Sequence, residues 1–276
     1  RNQFPQSEAA ILSTCNRVEM LVASDSDRPN TSDVLTFIAQ ARDDHARRTA
    51  LTVRWSPQLY ALDVAGLGER FQRYATSFPD KGAPITIRQL AGHLGGIRHY
   101  EPRDFGRATR PRTATEALAI FADDPLVAPP GTRHAYSSYG YVLLSAAMEA
   151  AGRDPFPQLM EDEVFRPLGM RGTGVDEPGR PAPARAVHYA GCDRGACSPS
   201  AYADYTGTWA GGGLVSTAED LARFGAALAR PGFLRRETVE AMWTPQRTAS
   251  GEDTGYGIGW RIGRDAAGNR IVHHGG

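Results

Sequence analysis

The stretch of residues 134–152 constrains the fold most, because a polar loop runs directly into a helix-forming sequence. The loop reads His134-Ala135-Tyr136-Ser137-Ser138-Tyr139-Gly140-Tyr141. The alanine- and leucine-rich residues 142–152 favour a helix, and Gly152 is typical of a helix end. A tyrosine near a cation can have a lowered pKa and then transfer protons. Tyr136 is therefore a candidate acid–base residue, and the alternative is an ordinary loop tyrosine with a bonded hydroxyl.

Several other short segments before and after this loop also look like motifs. They are residues 85–90, Gly92-His93-Leu94-Gly95-Gly96-Ile97, Pro130-Gly131-Thr132, residues 211–221, and Tyr256-Gly257-Ile258-Gly259-Trp260 leading to His273-His274-Gly275-Gly276. In this order and spacing, residues 71–276 resemble the serine β-lactamase and penicillin-binding-protein superfamily. More narrowly, they resemble the β-lactamase-related peptidases and esterases, a group that includes mitochondrial β-lactamase-like proteins.

The resemblance implies a fold and a set of site residues. The fold is α/β (α+β), a β-lactamase/transpeptidase-like antiparallel sheet flanked by helices with a helical subdomain. Tyr136 would relay protons with a lysine, while Ser138 and His273 would position the substrate. Further substrate-binding positions implied by the resemblance are His274, Gly275 and Gly276. The amide of Gly276 would supply one oxyanion-hole donor.

The nucleophile that this chemistry requires is missing from the sequence. Related enzymes carry Ser-x-x-Lys at the start of a buried helix, and no such motif occurs in these 276 residues. Lys81 is the only lysine, in a loop that we expect to be solvated. The nearest candidate serine, Ser56, has Leu59 where lysine is required. We therefore expect this chain to form no acyl-enzyme.

Residues 1–70 form a separate, atypical segment in this interpretation. Residues 8–19 contain Ser13-Thr14-Cys15-Asn16-Arg17 and resemble the N-terminal catalytic motif of glutamyl-tRNA reductase, in which the cysteine attacks an aminoacyl ester. Cys15 is thus an alternative nucleophile in a possible chimera, and the competing interpretation is a strand that runs into a turn with a packed thiol. No Gly-x-Gly-x-x-Gly loop follows, so the sequence offers no binding site for the NADPH that the reductase uses.

The composition limits the kinds of partner and ligand that this chain is expected to bind. Acidic and basic residues are equal in number, 31 each, so the electrostatic signature of nucleic-acid binding is absent. No apolar run is long enough to span a bilayer, and a start without methionine or a signal-peptide pattern suggests a fragment or processed chain. Three cysteines are too few for a disulfide framework, and no His/Cys spacing indicates a metal site or cofactor. Localisation and oligomeric state stay open, although related proteins are often exported or periplasmic.

Local patterns predict several boundaries. Thr113 with Glu116 and Ser216 with Glu219 match the capping-box pattern of a helix start. Alternating apolar residues from Tyr256 to Ile262, a turn at residues 265–269 and a return over residues 270–273 predict a β-hairpin. Family members continue with another strand and a C-terminal helix, so we expect both ends of the fold to be incomplete and the last strand to be an open edge.

Three functions remain. The first is a serine hydrolase acting on a peptide, amide or ester. The second is a binding or structural module that keeps the cleft without turnover, and the missing serine–lysine pair favours it for this chain. The third is a thiol activity at Cys15. Under each hydrolase-like interpretation the partner is a small-molecule or peptide substrate.

Overall fold

The computed structural model describes most of the chain from residue 66 onwards and two strands before it. The described residues are 7–14, 17–24, 66–104, 111–176, 186, 189–190, 198–199, 205, 207–230 and 232–275. The predictions for Cys15, Ser56 and Gly276 concern residues outside these ranges.

The described strands form antiparallel pairs. Their bounds are β1 Ser7–Thr14, β2 Arg17–Ser24, β3 Gly174–Val175, β4 Tyr189–Ala190, β5 Ser198–Pro199, β6 Leu214–Val215, β7 Arg261–Arg264 and β8 Arg270–His273. β1 pairs with β2, β3 with β6, β4 with β5, and β7 with β8. β2 lies beside β8, with Cα atoms within 8 Å, although no ladder joins these two among the described residues.

The helices surround one long central helix. Their bounds are α1 Ile87–Ala91, α2 Ala114–Ala117, α3 Ser138–Gly152, α4 Phe156–Met160, α5 Arg166–Leu168, α6 Ala218–Ala229 and α7 Arg236–Met242. A π-helical turn, Glu161–Phe165, joins α4 to α5. Single 3-10 turns stand at Gly66–Gly68, Phe71–Arg73, Pro102–Asp104, Leu118–Ile120 and Trp209–Gly211.

The helix α3 is the centre of the hydrophobic core. Its residues from Ser138 to Met148 are all buried, as expected of a helix that is covered on every side. α1, α2, α4 and the Trp209–Gly211 turn pack around it. The predicted end at Gly152 is confirmed, and Arg153 follows in the left-handed conformation (φ 63°). The helix begins at Ser138, however, inside the stretch that was predicted to be a loop, instead of at Val142.

A single carboxylate of α3 holds two neighbouring helices. Glu149 accepts hydrogen bonds from the backbone N–H groups of Ala114 (3.1 Å), Thr115 (3.3 Å) and Phe156 (3.1 Å). These donors stand at the starts of α2 and α4, where N–H groups lack a helical partner and a negative charge is favourable. Glu149 therefore fixes both helices against α3.

A buried ion pair holds the segment around Arg98 next to the start of α3. The Arg98 guanidinium makes two parallel hydrogen bonds to Asp104 (2.7 and 3.0 Å), and its Nε donates to Asp124 (2.6 Å). The same guanidinium lies 4.9 Å from the ring centre of Tyr139 on α3. Burial raises the cost of an unpaired charge, and the two carboxylates together compensate for it.

The predicted hairpin at the end of the chain is confirmed in its pairing, with one change of extent. β7 and β8 pair antiparallel around the turn, with Ile262 opposite Val272. The first strand begins at Arg261 instead of Tyr256, because Gly257 N–H bonds the Trp260 carbonyl (2.7 Å) and Gly259 turns the chain with φ 75°. Residues 256–260 therefore form a tight loop, and they carry Tyr256 into the core.

Candidate active site

The central loop is fixed where it enters α3. Ser137 is the N-cap: its Oγ accepts from the Gly140 N–H (2.9 Å) and donates to the Arg98 carbonyl (2.7 Å). Capping satisfies one of the free N–H groups of the first helical turn. Tyr136 stands directly before this cap and Ser138 directly after it, so the helix start sets the spacing of the two predicted site residues.

Aromatic rings enclose His93 next to this loop. His93 is 2% exposed, and its Nδ1 accepts from the Ser137 N–H (3.1 Å). Its ring centre lies 4.3 Å from that of Tyr136, 4.6 Å from Tyr256 and 5.3 Å from Tyr141. Burial lowers the pKa of His93 well below its usual value near 6.5, so the imidazole is neutral. His93 is therefore a buried hydrogen-bond acceptor for the backbone of the loop.

Tyr136 does not show the lowered pKa that a nearby cation can produce. Burial raises the pKa of Tyr136 above its usual value near 10, and this outweighs the opposing effects of the Ser138 hydrogen bond and the Arg261 charge. A cation is present, with the Arg261 guanidinium 6.0 Å from the Tyr136 ring centre. The phenol nevertheless stays protonated at neutral pH, because desolvation of the tyrosinate costs more than this exposed cation returns.

The hairpin β7–β8 forms the opposite wall. Arg261 pairs with His273 in the strand register, and its guanidinium lies 5.9 Å from the Tyr256 ring centre. The ring of His274 is 6.1 Å from those of both Tyr136 and Tyr256. The structure thus brings together Tyr136, Ser138, His274 and the strand that ends at His273. Gly275 follows there, half-buried, and their roles toward a substrate stay predictions.

The glycine-rich segment before β6 packs on the start of α3. A side chain at Gly211 would place its Cβ 2.5 Å from the Tyr100 hydroxyl and 2.7 Å from the Ser138 carbonyl oxygen. Both separations are far below van der Waals contact, so only glycine fits. The predicted motif at residues 211–221 therefore supports the position of Ser138.

Lys81 lies elsewhere, in a loop whose Asp80, Gly82 and Pro84 are exposed as expected, but its own side chain is half-buried. Its ammonium donates to the carbonyls of Ala122 and Asp124, the second at 3.0 Å, and lies 5.3 Å from the Phe78 ring centre. None of these partners belongs to the cluster of His93, Tyr136 and Tyr256. Lys81 therefore links its own loop to the turn that contains Ala122 and Asp124.

Sequence reasoning missed four residues of this cluster: Tyr256, His99, His134 and Arg261. Tyr256 is 1% exposed and His99 Nδ1 accepts from the Ser138 N–H (3.1 Å). His134 lies 5.8 Å from His93 between ring centres. Tyr256 and His134 belong to segments that the sequence did single out, whereas nothing local distinguishes Arg261 from the chain's other arginines.

The fold and this cleft define a class, and comparisons with known proteins agree with it. A sequence model of the Beta-lactamase family matches residues 53–276. The human serine beta-lactamase-like protein LACTB, mitochondrial, is 34% identical over 71% of this chain and 50% of its own length. Penicillin-binding protein 4* of Bacillus subtilis is 29% identical over 77% of this chain and 50% of its own.

A solved structure extends the fold comparison. A D-stereospecific amidohydrolase from Streptomyces superposes with a TM-score of 0.63 at 19% identity, covering 98% of this chain and 82% of that one. The fold is therefore β-lactamase/transpeptidase-like, with mixed helices and strands. The chain belongs to the Beta-lactamase family and carries a serine hydrolase family domain of this type. It spans about half the length of the curated relatives named above.

The comparisons and the structure also bear on the other predictions from the sequence. The comparisons give no support to the glutamyl-tRNA reductase resemblance of residues 8–19. The strand predicted there is present as β1, and Thr14 pairs with Arg17 in the β1–β2 register. Within the described residues, no helix is long and apolar enough to cross a membrane. The same residues contain no group of three His, Cys, Asp or Glu side chains placed to hold a metal ion.

Proposed function

We propose that this chain binds a small-molecule or peptide ligand in the cleft beside Tyr136 and forms no acyl-enzyme with it. The position of Lys81 carries the proposal. This sole lysine bonds the carbonyls of Ala122 and Asp124, and the residue three positions before it is Phe78, not serine. Acylation needs a serine whose proton passes to a nearby base. The chain lacks that pair.

Tyr136 does not replace the missing base. A general base works best when its pKa lies near the working pH. Burial raises the pKa of Tyr136 above its usual value, so almost no tyrosinate is present at neutral pH. His93 is neutral, but its Nδ1 is occupied by the Ser137 N–H. Neither group is available to activate a serine or a water molecule.

The cleft retains groups that suit a ligand with amide or ester character. In this proposal the hydroxyls of Tyr136 and Ser138 and the imidazoles of His273 and His274 bond the ligand. The amides of Gly275 and Gly276 bond its carbonyl oxygen. Arg261 adds a cation at the rim, 6.0 Å from the ring centre of Tyr136 and 5.9 Å from that of Tyr256. The names of the relatives, a penicillin-binding protein and a D-stereospecific amidohydrolase among them, support a peptide or amide as ligand.

The test separates binding from covalent reaction. The protein is incubated with a fluorescently labelled penicillin or with p-nitrophenyl butyrate, and intact mass spectrometry records any adduct while fluorescence anisotropy measures reversible binding of the penicillin. We expect reversible binding without a mass change. Tyr136→Phe should weaken binding several-fold, by about the value of one hydrogen bond. The matched variant Tyr74→Phe removes a hydroxyl that bonds Glu69 (2.5 Å), and it should bind normally.

Each other outcome points to a different function. A stoichiometric adduct on a serine, with Ser56 the first to inspect, would overturn the proposal and favour a turning-over hydrolase. An adduct on Cys15 would favour the thiol activity of the reductase-like interpretation. Absence of both adduct and binding would leave a structural module and would also contradict the proposal.

A further inference from the structure

Two histidine rings hold the start of α3 through consecutive backbone amides. The Ser137 N–H donates to His93 Nδ1 and the Ser138 N–H to His99 Nδ1, each at 3.1 Å. The first amides of a helix have no acceptor within the helix, and buried donors of this kind require one from elsewhere. Here both acceptors are imidazole nitrogens: His93 belongs to the Gly92-His93-Leu94-Gly95-Gly96 turn, and His99 follows that turn by three residues.

We infer that His93 and His99 are positioning residues that set the place of Tyr136 and Ser138 in the cleft. The two histidines touch these residues directly as well. The Tyr136 ring centre lies 4.3 Å from that of His93 and 5.4 Å, edge on, from that of His99. Removing either acceptor leaves an amide N–H without a partner at the point where the loop becomes a helix.

The arrangement fixes the protonation of both rings. A neutral imidazole accepts at one nitrogen and carries its proton on the other, so both rings must be protonated at Nε2. His93 Nε2 is buried without a hydrogen-bond partner. Burial lowers the pKa of His93 well below its usual value and also lowers the pKa of His99, so the accepting form persists at neutral pH.

Among the described contacts, no carboxylate faces the ring of His93 or of His99. The groups that face His93 are Tyr136, Tyr141, Tyr256, His99, His134, His274 and Arg261. Those that face His99 are Tyr100 and Tyr136. No anion in this set stabilises an imidazolium. Acid should therefore convert each acceptor into a donor that opposes the amide N–H, and so release the loop.

The backbone of His93 provides a matched pair of variants. Its φ of 57° lies in the left-handed region, which asparagine tolerates better than other residues with a side chain. Asparagine also carries a carbonyl oxygen at the position of imidazole Nδ1. His93→Asn thus keeps the acceptor and the backbone, whereas His93→Leu keeps the size and loses the acceptor. His99→Asn and His99→Leu repeat the comparison without a positive φ.

The test uses one readout without ligand and one with ligand. Nitrogen-15 NMR of the full chain should show both rings protonated at Nε2 at pH 7. The Tyr136 ring resonance, assigned with Tyr136→Phe, should shift in acid with a midpoint below 6.5. The double variant with asparagine at both positions should keep the neutral-pH position of that resonance throughout the same titration.

Ligand binding supplies the second readout and rests on the proposed function. With labelled penicillin, each Leu variant should bind about tenfold more weakly and each Asn variant within about twofold of the original chain, the value of one hydrogen bond. Protonation at Nδ1 at pH 7, or an equal loss of binding in the Asn and Leu variants at His99, would overturn the inference. If the original chain binds no penicillin, the proposed function fails, and the NMR titration still decides the role of the histidines.

Discussion

Ser137→Ala should destabilise the protein more than the loss of an ordinary helix cap. The Ser137 hydroxyl accepts from Gly140 and also donates to the Arg98 carbonyl, and the residue is 3% exposed. Loss of an N-cap costs about 1 kcal/mol. Leaving a buried carbonyl without its donor costs about 1 to 3 kcal/mol more. We therefore expect a loss of about 3 kcal/mol, because water cannot easily replace the hydroxyl.

Thr113→Ala is the matched control for this variant. Thr113 caps α2 by accepting from the Glu116 N–H (3.0 Å), and within the described part of the chain its hydroxyl makes no second contact of the kind Ser137 makes to Arg98. Its loss should cost about 1 kcal/mol. For a domain of this size, differential scanning calorimetry should record a Tm lower by about 6 to 12 °C for Ser137→Ala and about 2 to 4 °C for Thr113→Ala. Equal shifts would refute the double role of the hydroxyl.

Two further predictions concern charges near the loop. Asp104→Asn removes the bidentate partner of buried Arg98 and should lower the free energy of unfolding by about 3 kcal/mol in urea titrations; a change below 1 kcal/mol would contradict this account. Arg261→Gln removes the cation that opposes the effect of burial, so the pKa of Tyr136 should rise further, as followed by carbon-13 NMR of the tyrosine Cζ. Arg264→Gln on the same strand is the control, because its guanidinium donates to the Gly268 carbonyl (2.6 Å).

The sequence predicted elements well where the signal is local. The end of α3 at Gly152 follows from helix-forming residues and a terminal glycine, and the structure confirms it, whereas its start at Ser138, capped by Ser137, was predicted to be loop. Thr113 is the N-cap of α2 as predicted. The second capping prediction is wrong by one residue: Thr217, not Ser216, caps α6 by accepting from the Asp220 N–H (3.2 Å). Ser216 instead bonds Thr173 (2.7 Å), a long-range partner that no local pattern indicates.

The candidate site was predictable only in part, since its chemistry depends on burial. Tyr136 and Ser138 are recognisable from the sequence, but the direction of the Tyr136 pKa shift is not. It depends on how deeply His93 and Tyr256 enclose the phenol, and Tyr256 follows Tyr136 by more than a hundred residues in the sequence. The bonds of Lys81 to the carbonyls of Ala122 and Asp124 are likewise tertiary contacts across about forty residues. Such contacts arise from the fold as a whole.

An intact loop does not by itself argue for catalysis. The contacts that hold Tyr136 in place, from the Ser137 cap to the ion pair of Arg98 and Asp104, also stabilise α3 at the centre of the core. A chain that only binds a ligand would need them as much as an enzyme would. A catalytic lysine differs from these contacts, because it must stand beside the nucleophile to accept its proton and contributes little to folding there. Under the proposed function, the engagement of Lys81 at the carbonyls of Ala122 and Asp124 is therefore the feature that favours binding over turnover.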